Sequence, residues 1–199
     1  MEELMSYIQQ IAPLPPVLLN MITGMMREQY IPRKAFLFKE GKINDHVHFI
    51  IKGLVWCFKR WPALPGGEER EVAKWFFMDR DIIASRQSYD LQAPSRENFQ
   101  ALEPTFVLST TFRELDQFTR ENPAFLLHSL AISSRYSGLF YNVLDLKPAL
   151  RPFERYQILL DAYPALIQRV PAKYLATAIG MHPTTISRIR AKGNFDSPR

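Results

Sequence analysis

The sequence predicts an α+β protein: an antiparallel β-sandwich or barrel set between helical segments, closed at the C-terminal end by a helix-turn-helix. Three observations carry this. From Lys34 to Thr111 apolar residues alternate with a period of two, and Gly/Pro turns leave almost no room for helices. On either side of that block the apolar spacing changes to three and four. From Val170 to Lys192 two short amphipathic stretches flank a glycine.

Residues 1–31 read as helical. Leu4, Ile8 and Ile11 recur at helical spacing, Pro15-Pro16 interrupts, and Val17, Leu18, Met21, Ile22 and Met25 resume the pattern. In the β block, Val47, Phe49 and Ile51 alternate with His46, His48, Ile50 and Lys52, and Gly53 turns the chain. Leu54, Trp56 and Phe58 then alternate with Val55, Cys57 and Lys59. A loop from Pro62 to Glu69 leads to Val72–Met78, and Phe99–Leu102 pairs with Thr105–Leu108 around Glu103-Pro104.

Phe112 to Leu146 is again helical, restarted at Pro123. Ile132, Tyr136, Leu139, Val143 and Leu146 form a seam of coiled-coil spacing, whereas Leu126, Leu130, Phe140 and Leu144 form a second stripe expected to pack on the barrel. A helix with two apolar faces calls for two partners, so the seam is the candidate dimer contact. Lys147-Pro148 to Arg151-Pro152 reads as a hinge, which places a boundary between residues 1–146 and 147–199. Phe153, Tyr156, Leu159 and Leu160 then build a support helix that ends before Pro164.

In the final stretch, Leu175 and Ile179 line one helix and Ile186 and Ile189 the next. Gly180 supplies the left-handed turn, Met181 fills the space beneath it, and Pro183 suits the first position of the second helix. Small Ala176 allows the two helices to cross closely. The surface left over carries His182, Thr184, Thr185, Ser187, Arg188 and Arg190, flanked by Lys173 and Lys192. Hydroxyls and arginines on one helix suit the base edges and phosphates of a DNA major groove.

The charge distribution agrees. The formal net charge is +5, and the stretch from Leu166 onward holds six basic residues against Asp196 alone, so the preceding 165 residues are neutral in sum. A neutral body with a basic tail is the footprint of phosphate-backbone binding, and it argues against a purely effector-binding or dimerisation module. Cys57 is the only cysteine, which rules out an internal disulfide and suits a reducing compartment; amid strand aromatics it reads as a small buried hydrophobe. Glu2 and Glu3 replace a basic leader and no apolar run approaches membrane-spanning length, so a cytoplasmic protein with no membrane partner is expected.

The layout resembles that of the Crp/Fnr family of bacterial transcription regulators over nearly the whole chain. Phe36-Leu-Phe-Lys-Glu-Gly41 and Val47-His-Phe-Ile-Ile-Lys-Gly53 are similar to the opening of that family's roll. Glu154-Arg-Tyr156, Leu166-Ile-Gln-Arg-Val-Pro171 and Thr185-Ile-Ser-Arg-Ile-Arg190 are similar to its DNA-binding half. The resemblance implies an antiparallel, jelly-roll-like β-roll with flanking helices, a long dimerisation helix and a C-terminal recognition helix, with Arg188 at a base-reading position. It implies double-stranded DNA, a second copy of the chain and a small effector as partners, with RNA polymerase a further candidate; from the lone Cys57 and the incomplete His46/His48 motif, no cofactor or metal is expected. The family's cyclic-nucleotide binders carry Gly-Glu and Arg-Ser pairs, for which the counterparts here are Ala84-Ser85 and Ser95-Arg96. The ribose carboxylate is absent and the arginine is displaced by one position, so an effector other than cyclic AMP is expected, with Arg86, Ser88, Tyr89, Ser95 and Arg96 edging its pocket. These departures, and the few residues after the recognition helix, resemble the Bacteroidetes-type subgroup.

The competing reading is enzymatic. Gly41-x4-His46-x-His48 is similar to the first metal motif of cupin barrels. The glutamate that motif requires is replaced by Ile51 and Lys52, and no second histidine follows in the later strands. Alternation opposite Val47, Phe49 and Ile51 puts both histidines toward solvent. No P-loop, dinucleotide fingerprint or nucleophile–base constellation is present, so a non-enzyme is expected.

Overall fold

The computed structural model describes residues 1–62, 69–134 and 151–191. Two four-stranded antiparallel sheets make up the roll. The first runs β1 (Arg27–Ile31), β8 (Thr105–Thr111), β3 (His46–Lys52) and β6 (Ile82–Ala84). The second runs β2 (Phe36–Phe38), β7 (Asn98–Ala101), β4 (Val55–Trp61) and β5 (Arg70–Phe77). Between β3 and β4 the chain passes from one sheet to the other at Gly53. Its φ is +148°, and a Cβ there would overlap the Thr105 side chain, so only glycine fits.

Around β3 and β8 the first sheet is buried on both faces. Ile50, Ile83 and Val107 share a core with Phe38, Phe77 and Phe99 of the second sheet. Phe49 and Leu108 point the other way, onto Leu4, Tyr7 and Ile8 of α1 (Glu2–Ile11), Leu19 and Ile22 of α2 (Pro16–Gly24), and Phe118 of α4 (Phe112–Glu121). Among the described residues of the β block the one helix, α3 (Arg86–Asp90), spans a single turn.

Residues 27–31, expected to be helical, are an edge strand instead. Four of the five are exposed, so β1 has no buried face to print a period of two on the sequence; backbone pairing to β8 defines it. Thr111 caps α4 by accepting the Glu114 N–H at 3.1 Å, and the Glu114 carboxylate accepts the Thr111 N–H at 2.9 Å. Arg27 adds an ion pair to Glu114 at 2.8 Å, and together these bonds hold that carboxyl down to about 2.

After a 3-10 turn at Pro123–Phe125 the chain enters α5, described over residues 126–134. Over these residues its rotation is the reverse of the expected one. Phe125 is buried edge-on to Phe118, buried His128 donates Nε2–H to the Ala12 carbonyl at 2.8 Å, and Ile132 packs partly buried on the helix-side core. Leu126, Leu127 and Leu130 are 49%, 67% and 57% exposed. Ile132 therefore turns toward the roll and not into an outward seam. Both stripes are apolar, so periodicity cannot choose between them; the Phe118 and Ala12 contacts set the rotation. The remaining seam residues Tyr136, Leu139, Val143 and Leu146, and the expected boundary at 146/147, lie outside the described residues.

The C-terminal part comprises α6 (Pro152–Ala162), α7 (Pro164–Arg169), α8 (Ala172–Ile179) and α9 (Pro183–Ala191). Tyr156, Leu159, Leu166, Ile167, Leu175, Ile179 and Ile186 are buried in a core continuous with that of the roll. At the junction Trp56 meets Tyr174 edge-on with ring centres 4.5 Å apart, and Trp75 meets Tyr163 at 5.3 Å.

Candidate functional site

The α8–α9 pair is built as its residues require. Leu175, Ala176, Ile179 and Ile186 are buried. Gly180 sits at φ +69° and donates its N–H to the Ala176 carbonyl at 2.9 Å; the Met181 N–H shares that acceptor at 3.1 Å. The His182 carbonyl accepts from the Thr185 and Ile186 N–H groups at 2.9 and 3.4 Å, so the helix starts there. The His182 Nδ1 lies 2.8 Å from the Thr184 hydroxyl and accepts the Thr184 N–H at 3.4 Å.

With Ile186 anchored, α9 presents Thr184, Thr185, Ser187 and Arg188, all exposed. Thr184, Thr185 and Arg188 share one side of the helix. The Ser187 hydroxyl donates to the Pro183 carbonyl at 3.0 Å. Arg190 faces inward: its guanidinium donates to the carbonyls of Ile167 and, at 2.8 Å, Val170, closing the end of α7. The sequence reading groups it with the exposed arginines by its charge, yet it stands four residues after Ile186 and so shares the inward face of α9. Lys173 is exposed on α8, its ammonium 5.0 Å from the centre of the Tyr174 ring. Lys192 lies outside the described residues.

In the roll, Ser88, Ser95 and Arg96 line a cleft of about 390 Å³ together with Lys59, Lys74 and Glu97. The Ser88 hydroxyl donates to the Ala93 carbonyl at 2.6 Å and accepts the Asn44 N–H at 3.2 Å, while Ser95 holds the backbone of Glu97 from both sides. The cleft rim is therefore a pre-formed loop. Glu97, its one carboxylate among the described lining residues, is ion-paired with Lys74. Tyr89 is turned away and stacks on Phe112 with ring centres 5.0 Å apart. Arg86 opens α3, and its side chain lies outside the described part. Lys59, Lys74 and Glu97 were not singled out in the sequence. Lys59 is on β4, Lys74 on β5 and Glu97 just before β7, and only the sheet assembles them.

His48 departs from expectation. It is 5% exposed, inside the roll, with its ring 5.1 Å from that of Phe38; only His46 stays near the surface, its Nδ1 2.5 Å from the Asp45 carboxylate. The first sheet is covered on both faces, so alternation cannot assign a solvent side. Burial, helped by nearby His46, pulls the His48 pKa down to about 4, and its Nδ1 has no hydrogen-bond partner. The two imidazoles stack 6.0 Å apart, and among the described residues no group of three or more His, Cys, Asp or Glu is arranged to hold a metal. Cys57 is buried, and burial pushes its thiol pKa up. Among the described residues no helix is long and apolar enough to cross a membrane.

Arg169, which the sequence reading counts among the basic residues and within the Leu166–Pro171 motif, is a docking residue. Its guanidinium makes two bonds to Asp79, at 2.9 and 3.1 Å, one to the Gly53 carbonyl at 3.0 Å and one to Glu103 at 2.5 Å. Burial opposes the Asp79 charge, but the Arg169 and Gly53 N–H groups outweigh it and hold that carboxyl below its ordinary value.

No protein-family model matches the sequence, and no curated protein matches it. Solved structures do match. FixK2 from Bradyrhizobium japonicum is 15% identical over 87% of this chain and 90% of its own, with a TM-score of 0.68. The c-di-GMP-responsive global regulator CLP from Xanthomonas campestris is 13% identical over 93% of this chain and 96% of its own, at 0.62. A CooA mutant from Carboxydothermus hydrogenoformans is 19% identical over 86% of this chain and 77% of its own, at 0.60. At such identities the shared property is the fold, and the chain has the antiparallel β-roll of these structures.

Proposed function

We propose that this chain is a sequence-specific, DNA-binding transcription regulator of the Crp/Fnr type, cytoplasmic, acting as a homodimer and sensing a small ligand other than cyclic AMP. In this reading α8–α9 is the helix-turn-helix of a DNA-binding unit, residues 147–199, carried by an effector and dimerisation unit, residues 1–146. One observation carries it: α9 is anchored by fully buried Ile186 while Thr184, Thr185, Ser187 and Arg188 stay exposed on its outer side. Such a helix enters a major groove with Arg188 free to pair with a guanine, and the hydroxyls divide between bases and phosphates. Lys173 and Lys192 belong to the backbone contacts, with RNA polymerase a further candidate partner.

The dimer contact in this reading is the exposed Leu126, Leu127 and Leu130 face of α5 and its continuation. A second copy places two recognition helices about 34 Å apart, one turn of B-DNA. The cleft supports a ligand unlike cyclic AMP, because Ala84-Ser85 brings no carboxylate and Glu97 is already held by Lys74. The test is selection from random duplexes by the full chain, repeated with Arg188→Ala. The expected result is an inverted repeat that loses one base preference per half-site, a loss of about 1–3 kcal/mol. No enrichment at low salt overturns the reading.

A further inference from the structure

The cleft and the DNA-binding half meet at a single irregularity of the second sheet. Along the β4–β5 ladder Cys57 pairs with Trp75 and Phe58 with Ala73, so Lys74 is an extra residue on β5: a β-bulge. A bulge releases backbone groups from the ladder and re-aims the side chain it carries. Both effects are used here. The Ala73 N–H donates to the Thr177 hydroxyl of α8 at 3.1 Å, and that hydroxyl donates in turn to the Tyr174 carbonyl at 2.8 Å. The bulged Lys74 reaches the other way, into the cleft, and pairs with Glu97. Glu97 also accepts from the Cys57 thiol at 3.6 Å, on the strand opposite the bulge.

We propose that the bulged pair Ala73–Lys74 is a relay that makes the seating of α8 on the roll depend on the state of the Lys74–Glu97 pair in the cleft. The proposal rests on the reading of the cleft as the ligand site and of α8–α9 as the DNA-binding unit, and it names how one is coupled to the other. One peptide bond separates the N–H that seats Thr177 from the residue whose ammonium closes the cleft. The ligand chemistry able to use the relay is an acidic group, carboxylate or phosphate, that takes Lys74 from Glu97. Lys59 and Arg96 line the same cleft and add to its preference for an anion. Withdrawal of Lys74 re-forms the bulge, and the Ala73 N–H loses its alignment with Thr177.

Variants mimic that exchange without a ligand. Amide hydrogen exchange is followed across residues 172–179 of the full chain in Lys74→Met, Glu97→Gln, Thr177→Val and the double variant Lys74→Met/Thr177→Val. Arg60→Gln, which breaks an exposed ion pair to Glu71 on the same two strands, serves as comparison. The relay predicts that each cleft variant speeds exchange in α8 by about tenfold, that Thr177→Val does the same, and that the double variant adds nothing further. Exchange in α8 should stay at the wild-type rate in Arg60→Gln, and exchange in β3 and β8 should be unchanged in every variant. Effects that multiply in the double variant, an α8 unresponsive to both cleft variants, or acceleration spread equally through β3 and β8 would overturn it. The readout needs no DNA. A wild type that enriches no duplex sequence refutes the DNA-binding reading and leaves the exchange result to decide the relay.

Discussion

Arg169→Ala tests how firmly the C-terminal helices are fastened to the roll. The substitution removes four hydrogen bonds, two to Asp79 and one each to Glu103 and the Gly53 carbonyl. The arginine side chain is 30% exposed and its carboxylate partners 42% and 33%, which puts the cluster between two regimes. An exposed pair contributes roughly 0–1 kcal/mol, whereas breaking a buried one costs roughly 3–5 kcal/mol. Asp79 is not orphaned by the change, because it still accepts the Gly53 N–H at 2.7 Å. The expected loss is therefore about 2 kcal/mol, nearer the lower regime. With a urea slope of about 2–3 kcal/mol/M for a chain of this size, the unfolding midpoint should fall by about 0.8 M. Arg169→Lys keeps the charge but loses the planar fork, and should recover less than half of this. Asp79 adds a pH signature. Its folded carboxyl lies below the ordinary value of 3.8, so its contribution is present above that value and is lost as pH falls through the folded pKa. The gap between wild type and Arg169→Ala should be complete at pH 7 and shrink below about pH 4. Coincident midpoints at pH 7, or a gap undiminished in acid, would refute the reasoning.

Three further outcomes are expected. Leu130→Glu places a charge in the exposed leucine face of α5 and should convert dimers to monomers in sedimentation at micromolar concentration, with the fold intact by circular dichroism; a wild type already monomeric there contradicts the dimer. Calorimetry should detect no micromolar binding of cyclic AMP, and a micromolar isotherm would mean the missing carboxylate is supplied elsewhere. Glu114, held down to about 2 chiefly by Arg27, stabilises the fold fully above its ordinary value of 4.5 and loses that contribution as pH falls toward 2. Glu114→Gln should therefore melt lower than wild type at pH 7 and approach it near pH 2, and a constant difference across that range would show that the carboxylate charge is not what matters.

Much of the architecture is local and was legible. Gly180, Ile186 and Pro183 mark the α8–α9 turn by their own conformational preferences, and the structure finds the left-handed glycine, the buried isoleucine and the helix start where those preferences put them. The strands of residues 46–61 announced themselves by alternation around Gly53. The outer face of α9 was equally local, because exposure of Thr184, Thr185, Ser187 and Arg188 follows from anchoring one helix by one isoleucine.

What the sequence left open was decided wherever two environments were chemically equivalent along the chain but different in space. Within residues 126–134 of α5 apolar residues fall on more than one face, and contact with Phe118 and Ala12 selected which one meets the roll. His48 occupies an alternating strand covered on both sides, so its burial depends on the second sheet arriving over it. Arg190 shares a helix face with Ile186 but carries a surface residue's charge, and the open carbonyls at the end of α7 claim its guanidinium while Arg188 is left to solvent. The cleft and the Arg169 cluster join residues as much as 116 positions apart, between Gly53 and Arg169. Backbone preference and periodicity act over a few residues and so are written locally. Which face is inside, and which charges meet, depends on what the rest of the chain brings alongside, and only the packed structure settles it.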